Sequence, residues 1–228
     1  MRRWACLLIV AVLPACDWMP GKPDPADRWQ PPEANRNFSE LYAQNCRGCH
    51  GIDGTIAGSN SLDQPTYLAY VTPEALRNAI ANGVPGSNMP AFARSHGGML
   101  TDAQVGILVD GLLAKRQPQP GPVPPYEGQP GDPVAGHTAF GIFCASCHGA
   151  DGTGAKAGSV VDSAYLGLVT NQYLRTVTVA GRPELGCPDF RSRVEGRQMS
   201  DEDISNIVDW LASQRRNEFG QPLPPTTR

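Results

Sequence analysis

What most constrains this chain is that it carries one sequence pattern twice. Cys46-Arg47-Gly48-Cys49-His50-Gly51 returns 98 residues later as Cys144-Ala145-Ser146-Cys147-His148-Gly149. The same offset carries Asp53-Gly54-Thr55 onto Asp151-Gly152-Thr153, Tyr67-Leu68 onto Tyr165-Leu166, and Leu76-Arg77 onto Leu174-Arg175. It also carries Gly83, Pro85 and Pro90 onto Gly181, Pro183 and Pro188, and one inserted residue later Thr101-Asp102 answers Ser200-Asp201. A register held across about fifty residues predicts two copies of one folding unit, residues 35–116 and 135–216. Residues 117–134 between them hold seven prolines. Because proline fixes φ and cannot donate a backbone hydrogen bond, this segment is expected to be a semi-rigid spacer. Residues 217–228 form a polar C-terminal tail.

Each unit reads as helical, so the expected fold class is all-α: two tandem helical domains joined by a proline-rich linker. Phe38, Leu41, Tyr42 and Asn45 share one helical face, with Asn37 and Glu40 spaced as a capping box. Thr72-Pro73-Glu74 supplies an N-cap, an N1 proline and a first-turn acid, and Gly83 can close that helix. Thr101 begins a last helix with Val105, Leu108, Val109 and Leu112 on one stripe. Ser200 begins its counterpart, with Ile204, Ile207, Val208 and Leu211. Between these helices the chain is rich in glycine and lacks strand alternation. A unit of about 80 residues with so much irregular chain has a marginal apolar core and needs a metal, disulfide or cofactor to complete it.

The C-x-x-C-H pairs meet that need. Two cysteines about one helical turn apart can both bond a porphyrin's vinyl groups, and the adjacent histidine is aimed at the iron, which marks covalent c-type haem attachment. One alternative is a four-thiolate zinc site from Cys46, Cys49, Cys144 and Cys147, but it would leave His50 and His148 unexplained. Dithiol redox chemistry is the other, and no βαβ pattern surrounds either motif. Two covalently bound haem c groups are therefore expected. The near-neutral balance, net charge −3 with 18% charged residues, gives no reason to expect nucleic acid as a partner.

With these motifs each unit resembles a class I cytochrome c domain, and the whole resembles a tandem dihaem cytochrome c lipoprotein. The resemblance implies an N-terminal helix crossing a C-terminal one, haem in an apolar crevice, and a sixth iron ligand from a later loop. In the first unit that loop is Gly83-Val84-Pro85-Gly86-Ser87-Asn88-Met89-Pro90, and Met89 matches the family's distal methionine; Met99 and His96 are its rivals. His/Met ligation raises the reduction potential. The second unit departs from the pattern. Its loop is Gly181-Arg182-Pro183-Glu184-Leu185-Gly186-Cys187-Pro188, with cysteine where methionine is expected. Cys187 as a thiolate ligand would push the second potential below the first. Met199, His137, Lys156 or a five-coordinate iron are the alternatives. Arg182, Arg191, Arg193 and Arg197 surround Cys187 in sequence, suited to haem propionates, a docking face or a small oxyanion.

The N-terminus predicts export. Met1-Arg2-Arg3, an apolar run from Trp4 to Leu13 and then Leu13-Pro14-Ala15-Cys16 describe a signal peptide over residues 1–15. The Leu-x-Ala-Cys ending resembles a bacterial lipobox, which implies lipid on Cys16 and a tether over residues 16–34. The expected function is then single-electron transfer on the periplasmic side of a membrane. The expected partners are a membrane respiratory complex (a quinol-oxidising complex or a terminal oxidase) and a second cytochrome. The rival class is a sulfur-compound-oxidising dihaem enzyme, resembling thiosulfate dehydrogenases, with its chemistry at Cys187. In those enzymes the Cys-ligated haem lies in the N-terminal unit, whereas Cys187 lies in the C-terminal one.

Overall fold

A computed structural model describes residues 21, 24, 28–52, 54 and 61–216. The signal peptide, Cys16 and the C-terminal tail lie outside the described residues. Residues 35–228 form one unit, separate from residues 1–34.

The first repeat contains α1 (Phe38–Asn45), α2 (Arg47–His50), α3 (Pro65–Tyr70), α4 (Pro73–Asn82) and α5 (Asp102–Leu113). The second contains α6 (Pro133–Phe143), α7 (Ala145–His148), α8 (Ser163–Leu168), α9 (Asn171–Ala180) and α10 (Asp201–Ser213). No strand is formed among the described residues, and no helix there is long and apolar enough to cross a membrane. The fold is all-α, in two tandem helical repeats joined by the proline-rich segment.

Local chemistry sets the helix starts. Asn37 Oδ1 accepts the Glu40 N–H and Thr72 Oγ1 that of Ala75, while Thr101/Gln104 and Ser200/Asp203 form reciprocal capping boxes. The predicted stripes of α5 and α10 are all buried. In each repeat the first and last helices cross at a glycine facing an aromatic residue, with the roles exchanged. Gly111 of α5 receives the Phe38 ring of α1, whereas Gly136 of α6 lies against the Asn206 carbonyl and the Trp210 Cβ of α10. By the repeat, Phe38 corresponds to Gly136 and Gly111 to Trp210. A large–small pair at the crossing is kept while its sides swap, as close packing requires. A second shared device is an arginine after each last helix. Arg116 donates to the carbonyls of Leu68 (2.7 Å) and Val71 (2.8 Å), and Arg215 to those of Leu166 (3.1 Å) and Val169 (2.9 Å). Each guanidinium satisfies carbonyls at the end of a short helix that its own backbone leaves open.

The linker contains no helix, and it is pinned to both repeats. Tyr126 packs against the hydrophobic clusters of both repeats. Its carbonyl accepts from Tyr70 Oη (2.8 Å) and Gln172 Nε2 (3.0 Å). The buried Arg175 guanidinium donates to the Pro125 carbonyl at 2.9 Å and ion-pairs with Asp201. The repeats also meet directly. Tyr70 of α3 is buried in the second repeat's core, and Gln64 Nε2 donates to the Ala180 carbonyl at 2.7 Å. Arg191 Nη2 donates to Thr66 Oγ1 at 2.8 Å and to Gln119 Oε1 at 3.0 Å.

Candidate functional site

In the second repeat, α6 ends at Cys144, and the single turn α7 carries Cys147 and His148 onto the wall of a cavity of about 600 Å³. Cys144, Cys147, His148 and Cys187 all line it, with Val160, Tyr165 and Val177 among its apolar walls. That volume is in the range of cofactor and small-molecule sites, roughly 300–1,000 Å³. His148 Nδ1 lies 2.9 Å from the Gly158 carbonyl oxygen. A carbonyl only accepts, so Nδ1 carries the proton and Nε2 keeps its lone pair. A backbone acceptor behind the ring is the arrangement that orients a metal-ligating histidine.

Cys187 is half-buried across from His148. Burial raises its pKa, but the hydrogen bond with His148 and the charge of Arg193 outweigh burial and bring the thiol down to about 7. The partner effect on His148 is upward, led by the same hydrogen bond. Cys144 behaves oppositely: burial, together with the Cys187 charge, pushes it up to about 11 despite Arg193. Cys46 is also raised to about 11, by burial and then by Cys49. The inner cysteine of each pair is thus a buried neutral thiol, and the outer ones, Cys49 and Cys147, are exposed.

The loop bearing Cys187 is built on Gly181, the C-cap of α9, with φ 72° and ψ −172°, a conformation essentially confined to glycine. A Cβ there would lie 2.5 Å from the Pro188 oxygen and 2.6 Å from that of Cys187. The first repeat is folded alike. Gly83 has φ 72°, and a Cβ on it would lie 2.7 Å from the Met89 oxygen and 2.8 Å from the Pro90 carbonyl carbon. Met89 is half-buried on that loop, its N–H donated to Ser87 Oγ at 3.1 Å and its carbonyl accepting from Val84 at 3.0 Å. Met89 and Cys187 therefore hold equivalent positions in backbone geometry as well as in sequence.

The rivals lie elsewhere. Met99 is 77% exposed, and His96 Nδ1 sits 3.0 Å from Ser95 Oγ on an exposed turn. Met199 is 1% exposed inside the second core. Its N–H donates to the Phe190 carbonyl at 3.1 Å, as that of Leu100 donates to Phe92 at 2.8 Å, so Met199 fills a core position. His137 stacks on Trp210 and lies 3.5 Å from Asp151, and Lys156 lines the cavity. No three His, Cys, Asp or Glu side chains among the described residues converge as metal ligands.

The four arginines do not converge on one ligand. Arg182 pairs with Glu184 and Arg191 with Asp189, while Arg197 stands 5.0 Å from the Phe143 ring centre. The Arg193 guanidinium reaches the Cys187 sulfur at 3.4 Å, and its buried Nε has no protein partner. A cavity walled by thiols, an oriented imidazole and a buried N–H in want of an acceptor fits a haem with its polar edge. The Gly158 acceptor had no side-chain signal from which the sequence could reveal it.

Comparison with known proteins agrees. The family model described as cytochrome c oxidase, cbb3-type, subunit III matches residues 33–110 and again 131–211. The dihydro-haem d1 dehydrogenase of Pseudomonas aeruginosa is 37% identical over 81 residues, 35% of this chain and 15% of that protein. The cbb3-type cytochrome c oxidase subunit CcoP of Rubrivivax gelatinosus is 31% identical over 130 residues, 55% of this chain and 38% of that protein. The chain thus spans well under half the length of either curated relative. Among solved structures, a chain of the Kuenenia stuttgartiensis reducing HAO-like protein complex aligns with a TM-score of 0.48 at 17% identity, covering 80% of this chain and 99% of that one. The dihydro-haem d1 dehydrogenase NirN in complex with DHE aligns with a TM-score of 0.30 at 30% identity, covering 40% and 18%.

Proposed function

This chain belongs to the family of cytochrome c oxidase, cbb3-type, subunit III, a family of c-type cytochromes with covalently bound haem c, and from that premise we propose that it carries single electrons between respiratory redox partners. It holds two haems, one on Cys46 and Cys49 with His50 and Met89 as axial ligands, the other on Cys144 and Cys147 with His148 and Cys187. A haem supplies a one-electron couple whose potential follows its axial ligands. The chain's own residues supply the rest. Gly158 fixes the His148 ring, Gly181 fixes the loop that presents Cys187, and the apolar walls limit water at the centre.

The observation that carries this reading is the doubled loop, in which Gly83 and Gly181 close against the backbone of Met89 and Cys187 in the same way. Export through residues 1–15 and lipid on Cys16 place the protein on the periplasmic face of a membrane. A terminal oxidase or a quinol-oxidising complex is then the natural neighbour, in keeping with a relative that is an oxidase subunit. Mass spectrometry of the mature chain should show two porphyrins and a lipidated Cys16. Ferric spectra should show one methionine–iron charge-transfer band and one thiolate-type low-spin EPR signal. In C187M the second signal should vanish and the lower potential rise, with the other unchanged. An unaltered pair of potentials would remove Cys187 from the iron. Haem reduction by thiosulfate at catalytic rates would replace electron transfer with the sulfur-oxidising alternative.

A further inference from the structure

We infer that Arg193 is a positioning residue that sets the second haem's potential by holding the Cys187 sulfur, an inference that rests on Cys187 being that haem's sixth ligand. The guanidinium is forked. Nη2 donates to the carbonyls of Val177 (3.2 Å) and Thr178 (3.0 Å), and Nη1 reaches Cys187 Sγ at 3.4 Å. Those carbonyls belong to the last turn of α9, where backbone acceptors outnumber helical donors and the helix dipole is negative. A cation is favoured there, and the planar fork fixes the direction of its other edge. One edge of Arg193 is thereby tied to a helix, and the other presents an N–H to the sulfur.

An N–H···S bond draws electron density from a thiolate. The sulfur then donates less to iron, ferric iron is stabilised less, and the potential sits above that of an unbonded thiolate; hydrogen bonding at sulfur is an established lever of this kind. A thioether is a poor acceptor and has no use for such a donor. In the first repeat Arg94 donates its Nε to the Met99 carbonyl at 3.3 Å, on the exposed turn after the ligand loop.

The test compares R193Q and R193K in the full-length holoprotein with the same substitutions made on C187M, following each haem by potentiometry and EPR. R193Q should lower the reduction equilibrium of the second haem at least tenfold, about 59 mV for a one-electron couple. It should also change the spread of the thiolate EPR signal and leave the first haem unmoved. R193K keeps the charge but loses the fork, and should shift the potential in the same direction. It also carries the test if R193Q fails to take up haem. On C187M neither substitution should move the second haem more than about threefold, because an uncharged thioether is a poor acceptor for the N–H. Equal shifts on Cys187 and C187M, or a wild-type potential in R193K, would overturn the N–H···S role. A C187M protein with wild-type potential and EPR would overturn the ligation reading instead.

Discussion

Replacing Gly181 with alanine should dislodge the second ligand loop far more than replacing Gly186 in the same loop. Gly181 stands at φ 72°, ψ −172°, where a side chain costs about 1–3 kcal/mol in backbone strain. Its new Cβ would also press on backbone oxygens at 2.5 Å (Pro188) and 2.6 Å (Cys187), and crowding of that kind adds about 1–3 kcal/mol. Together the penalty is about 2–6 kcal/mol. Gly186 has φ 78° and ψ 10°, ordinary left-handed geometry, and nothing lies within 4 Å of its would-be Cβ. Alanine there costs about 1–2 kcal/mol. The difference is also directed. The cheapest relief in G181A moves the carbonyls of Cys187 and Pro188 away, and with them the sulfur. EPR of the ferric holoprotein should therefore show part of the second haem losing its thiolate low-spin signal in G181A and none in G186A. The denaturant midpoint at that haem should fall further in G181A. Equal midpoints with an intact thiolate signal in both variants would refute the reasoning.

Other outcomes follow from neighbouring packing. Met199→Leu is a nearly volume-conserving core exchange costing under about 1.5 kcal/mol, and should leave the second haem's EPR and potential unchanged. Gly136→Ala should destabilise the second repeat by about 1–3 kcal/mol, read by denaturation. Adding Trp210→Gly to Gly136→Phe should recover most of the loss of either single change, because the first repeat is built that way with Phe38 and Gly111. Burial alone would raise the Asp189 carboxyl, but hydrogen bonds from Arg191 prevail and hold it below its ordinary value. With the folded value depressed, the stabilisation is full above the ordinary carboxylate pKa and is lost as pH falls through the folded one. Hydrogen exchange at Cys187–Arg191 should thus quicken below about pH 4, and in Asp189→Asn it should already be fast at pH 6.

The sequence disclosed whatever depends on near neighbours along the chain. The caps at Thr72, Thr101 and Ser200 are legible because a side-chain oxygen meets an N–H three residues on, and the buried stripes of α5 and α10 because helical periodicity is local. For Met199 the register after the one-residue insertion already points to Leu100 and a helix start, and the matching hydrogen bonds to Phe190 and Phe92 add that both hold the same core position. The contact between the repeats, by contrast, was hidden. Matching a duplicated sequence stresses what the copies share, whereas an interface formed by one face of one copy shows in their differences. Gln64, Thr66 and Tyr70 on α3 stand where α8 has Asp162, Ala164 and Leu168. Thr66 and Tyr70 are buried against the other repeat, while Leu168 is 61% exposed. The proline count of the linker speaks to stiffness and is silent on attachment. Attachment depends on Tyr126, whose carbonyl collects donors from α3 and α9. Stiff arms on either side then hold that anchor in place, so the prolines serve a fixed arrangement of the two units instead of a free one.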